Sequence, residues 1–142
     1  MVLYISYEEV RAVRLGARSV LGDETHGMCA VAAAPPSPAR AEISALQERL
    51  VGDLDVDTLA EQRALVLALS SIVECLRVEM ETLVGETHPA HEGAVAAYFD
   101  YAHSLSVLQR LQDMGSEMEA MIEVLTGSPV DGVAEASFHF PD

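Results

Sequence analysis

Apolar residues recur at alternating steps of three and four through most of the second half of this chain. Leu59, Gln62, Val66, Leu69, Val73, Leu76, Met80 and Leu83 form a seam of about four heptads with one polar member, Gln62. Thr58 and Glu61 have capping-box spacing at its start, and Gly85 is placed to end it. Leu65, Ile72 and Val84 widen the apolar face, which predicts contact with more than one neighbour. A second seam follows at Ala94, Ala97, Tyr101, Ser104, Leu108, Leu111, Gly115, Met118, Ile122 and Leu125. Pro89 can open that helix, and Gly127 and Pro129 can stop it. Small residues at Ala94, Ala97, Ser104 and Gly115 predict a close helix approach, and Leu105, Met114 and Met121 add a second stripe. Two long helices joined by a short loop predict an antiparallel hairpin over about residues 58–84 and 89–126.

The first half predicts two shorter helices. Ser6 and Glu9 form a capping box, flanked by Ile5 and Val10 at the positions of a hydrophobic staple. The helix they open should run from Tyr7 to about Leu21, with Val10, Val13, Ala17 and Val20 inward. Residues 23–37 have no helical period and read as a loop. Ser37 followed by Pro38 then opens a helix whose narrow face is Ile43, Leu46 and Leu50. At the ends of the chain the period changes to two. "VLYISY" at 2–7 and "ASFHF" at 136–140 are both aromatic-rich, so each is expected to pair, with the other or against a partner. The expected architecture is all-α: a single helical domain over 1–127 built on the hairpin, and an extended tail over 128–142.

The long helices carry more apolar surface than a hairpin alone can bury. Two solutions are open: a homodimer whose hairpins complete a four-helix bundle, or a monomer that uses its own short helices. The dimer is the favoured expectation. Leu105, Met114 and Met121 are the expected contact stripe, with Phe138 and Phe140 of the tail docking on the bundle or on a partner protein.

Composition narrows the possible functions. The formal net charge is −15, with 23 acidic residues against 8 basic ones, all eight of them arginine. Such a field repels nucleic-acid phosphates and anionic membranes. Apolar runs such as "ALVLAL" at 64–69 are too short to span a bilayer, and "MVLYISYEEV" lacks the basic region of a secretion signal. The expectation is a cytoplasmic protein whose two cysteines, Cys29 and Cys75, form no disulfide.

Candidate chemistry is sparse. His26 with Cys29, and His88 with His91, are each spaced to span one metal, and together they could supply four zinc ligands. The set matches no standard zinc signature, and acidic residues with a proline also suit a helix start. Glu74 with Asp100 and His103 resembles half of a di-iron site of the ferritin-like bundles. The family pattern is Glu-x2-His, which this chain lacks. Arg11, Arg14 and Arg18 line one face of the first helix, a footprint suited to salt bridges or an acidic partner more than to nucleic acid. No phosphate-binding glycine loop and no activated nucleophile can be recognised. The sequence reads as a non-enzymatic helical interaction protein: a small adaptor, scaffold component or regulatory subunit that binds itself or another protein and needs no cofactor. A zinc- or iron-binding helical protein is the first alternative, and a nucleic-acid-binding regulator the second.

Overall fold

The computed structural model describes residues 1–21, 37–86 and 92–127. In chain order the elements are β1 (Val2–Leu3), α1 (Tyr7–Leu21), α2 (Ser37–Arg49), β2 (Leu54–Asp55), α3 (Leu59–Glu86) and α4 (Glu92–Thr126). The two long helices, α3 and α4, form the closest-packed pair, as the seams require. Their meeting faces are the expected ones. Leu59, Gln62, Leu69, Val73 and Leu76 of α3 are buried, as are Ala94, Ala97, Ser104, Leu108, Leu111, Gly115, Met118 and Ile122 of α4. Burial of Gln62 has a specific cause. Its side-chain amide donates to the Leu111 carbonyl at 2.9 Å, which removes the cost of an unmet buried polar group. Gly115 makes room for it, since a Cβ there would overlap the Gln62 amide. Three sequence expectations need correction, the first of them Val84, placed on the widened apolar face of α3 but 42% exposed. α3 continues through Gly85 to Glu86, because a lone glycine lowers helix propensity without breaking the hydrogen-bond ladder. Leu125, placed in the α4 seam by its spacing, is exposed.

Much of the surplus apolar surface of the hairpin is covered within the chain. α1 packs against both long helices, and α2 packs against α1 and α3. Val13, Ala17 and Val20 of α1, and Ile43, Leu46 and Leu50 beside them, join the same core as Leu65 and Ile72. Gly16 lets α1 approach closely. A Cβ at that position would lie 2.5 Å from Ile72 Cγ2 and 3.0 Å from Leu76 Cδ1.

The start of α1 is held by the capping box foreseen for it. The Ser6 amide donates to Glu9 Oε1 at 2.9 Å, and the Glu9 amide donates to Ser6 Oγ at 3.2 Å. At α3 the Glu61 amide donates to Thr58 Oγ1, but the returning carboxylate accepts from the Asp57 amide, one residue earlier than expected. The N-terminal strand pairs with a segment that helical spacing does not single out. β1 runs antiparallel to β2, Val2 opposite Asp55 and Leu3 opposite Leu54. Met1 extends the ladder, its ammonium donating to the Val56 carbonyl and its own carbonyl accepting from the Val56 amide. The expected partner segment, 136–140, lies outside the described residues.

Candidate docking surface

The described surface is best read through its charges, because so few of them are positive. Arg14 reaches α2, where its Nη1 donates to the Gln47 and Leu50 carbonyls at 2.9 and 2.8 Å. Arg40 returns the contact from α2, donating to the Val20 and Leu21 carbonyls at the end of α1. Arg49 pairs with Glu61 at 2.6 Å, and Arg63 reaches Glu119 at 3.6 Å. Arg77 is shared between Glu74 and Glu81. Arg110 bonds both Glu9 and the Tyr4 carbonyl. Burial raises the pKa of Glu9, but the Ser6 amide and the Arg110 guanidinium together outweigh it and hold the carboxyl below its ordinary value. Six of the eight arginines are thereby engaged. Arg11 and Arg18 are exposed on α1 and have no ionic partner among the described residues. The arginine stripe read from the sequence therefore divides in two: Arg14 is structural, while Arg11 and Arg18 remain available with Tyr7, which is 78% exposed.

The expected contact stripe on α4 also divides. Met114 is buried in the chain's own core, Leu105 is half-buried against it, and Met121 is 42% exposed. Beyond Met121, Val124 and Leu125 are 83% and 62% exposed, and with Ala120 they line an apolar surface hollow. Antiparallel packing explains the exposure. Gln62, only three residues into α3, already packs at Gly115. About two turns of α4 therefore run past the start of α3. A second exposed cluster lies near the other end of α4, where Tyr98 stacks edge-on to Phe99 with centroids 5.9 Å apart. Sequence reasoning missed Val124 and both aromatics. Helix spacing identifies which residues share a face but not where the neighbouring helix stops.

The metal candidates are placed as follows. His26, Cys29, His88 and His91 lie outside the described residues, as do Phe138 and Phe140. Glu74 is occupied by Arg77, whose hydrogen bonds hold the carboxyl below its ordinary value. His103 stacks on Phe99 with centroids 6.4 Å apart. Among the described residues no group of three or more His, Cys, Asp or Glu side chains is arranged to hold a metal ion, and Glu74, Asp100 and His103 form no such group. Among the described residues no helix is long and apolar enough to cross a membrane. Comparison with protein-family models, curated proteins and solved structures finds no match.

Proposed function

We propose that this chain is a non-enzymatic helical interaction protein, a small adaptor, scaffold component or regulatory subunit that acts by self-association. The observation that carries the reading is the end of α4, where Met121, Val124 and Leu125 stay exposed side by side although α1 and α2 cover much of the hairpin's apolar surface. Contiguous exposed apolar side chains on a helix whose middle is packed into a bundle mark a contact surface. The surface is small, so the association is expected in the weak, transient class of interfaces. Light scattering on the full chain from about 10 μM to 1 mM, a range suited to that class, should show a mass that rises with concentration. A monomer mass across the whole range would defeat the reading.

A further inference from the structure

We infer that the occupant of the exposed α4 end is α1 of a second copy of this chain, docked head to tail; the inference rests on the self-association reading above. The two surfaces match in spacing and in charge. On α1, Tyr7, Arg11, Leu15 and Arg18 follow one another at steps of four, four and three, and none of them is buried. On α4, Asp113, Glu117, Met121 and Val124 follow at the same three steps and are all exposed. Steps of three and four keep residues on one helix face, so each set forms a single stripe. Laid side by side in parallel, the stripes set Arg11 beside Glu117 and Leu15 beside Met121. The Tyr7 hydroxyl then meets Asp113, and Arg18 lays its aliphatic stem along Val124 with its guanidinium within reach of Glu123.

Neither stripe can satisfy the other within one chain. Both start from the Glu9–Arg110 ion pair. From there α1 runs alongside α3, its Gly16 against Ile72 and Leu76, while α4 runs the opposite way. Arg18 and Met121 therefore end up roughly 30 Å apart, from about 1.5 Å of rise per residue on each helix. Pairing either stripe with its own copy would instead bring two stripes of the same charge together. Among the described residues Asp113, Glu117 and Glu123 have no ion-pair partner, like Arg11 and Arg18. A basic foreign partner would satisfy only α4, and an acidic one only α1. A second copy of this chain satisfies both. In this head-to-tail arrangement a dimer leaves one surface of each kind free, so assemblies grow beyond dimers or close into rings.

The test uses the full chain and two double variants, Arg11→Glu with Arg18→Glu, and Asp113→Arg with Glu117→Arg. All four positions are exposed, so each variant should still fold, which a cooperative thermal melt checks. In sedimentation at 0.15 M salt, where the Debye length is about 8 Å and contact pairs outweigh distant charges, the parent should pass beyond dimer as concentration rises. Each variant alone should associate at least about tenfold more weakly, the size of effect expected when two attractive pairs become repulsive. An equimolar mixture should recover association, because the acidic α1 of one variant meets the basic α4 of the other while the native pairing survives on the opposite side. If the parent associates and either variant does so equally, or if the mixture stays monomeric, the head-to-tail contact is overturned and self-association stands. A parent that never associates overturns both.

Discussion

At Gly16 and at Glu9 a single atom or proton bears on the helical core. The absence of a Cβ at Gly16 lets α1 lie against Ile72, a fully buried and branched side chain that has one favoured rotamer on a helix and no room to retreat. Gly16→Ala gains about 1 kcal/mol of helix propensity but overpacks a dry contact at a cost of about 1–3 kcal/mol. The second effect should win, lowering the urea midpoint by about 1 kcal/mol equivalent; a midpoint equal to the parent's would show that the contact is slack. Glu9 makes a prediction in pH. Its folded pKa is depressed by Ser6 and Arg110 against the opposing effect of burial. Its contribution is therefore present above the unfolded carboxylate pKa of about 4.3, and is lost as pH falls through the lower folded value. The stability gap between the parent and Glu9→Gln should be open at pH 7 and close on acidification below about pH 4. A gap independent of pH would mean that the carboxylate charge is not what holds Arg110 in place.

Between elements, the short helices are fastened by an exchange of caps. The last carbonyls of a helix lack intrahelical donors, and here each short helix lends an arginine to the other: Arg14 to the Gln47 and Leu50 carbonyls, Arg40 to those of Val20 and Leu21. Hydrogen bonds from a charged group are worth about 1.5–3 kcal/mol each when partly buried. Arg14→Met keeps much of the stem packing and removes the donors. Amide hydrogen exchange should then quicken in α1 and α2 while α3 and α4 stay protected, since local opening is governed by the contacts each unit makes. Equal acceleration in all four helices would show that the bundle opens as one unit. The sequence displayed Arg14 only as one member of a stripe on a helix face. Its role depends on where the C-terminus of α2 comes to rest, which no local spacing encodes.

Across the whole molecule, the net charge of −15 works against compaction. Most of the ion pairs lie at the surface, where each contributes little and salt weakens it. Diffuse repulsion among the many remaining carboxylates outweighs them, and salt screens it as the Debye length falls from about 30 Å at 0.01 M to about 10 Å at 0.1 M. Thermal stability should therefore rise over that interval. A melting temperature that fell instead would mean that the ion pairs dominate.

The fold class, the hairpin, most of its inward residues and the capping box of α1 were legible in the sequence, because helical period and capping are local properties written within four residues of each other. The short ribbon was legible in principle as well: Leu54 and Val56 alternate with Asp53, Asp55 and Asp57, and the two apolar residues are buried. Its partner was not, since pairing β1 with β2 joins segments some fifty residues apart. Tertiary structure alone decided that α1 and α2 cover the hairpin, that Met114 turns inward while Met121 does not, and that Arg14 is engaged while Arg11 and Arg18 stay exposed. Each of these depends on where one helix ends relative to its neighbour. Axial offset between helices is set by packing across the whole core, and a seam that repeats every seven residues is compatible with several such offsets until the side chains interlock.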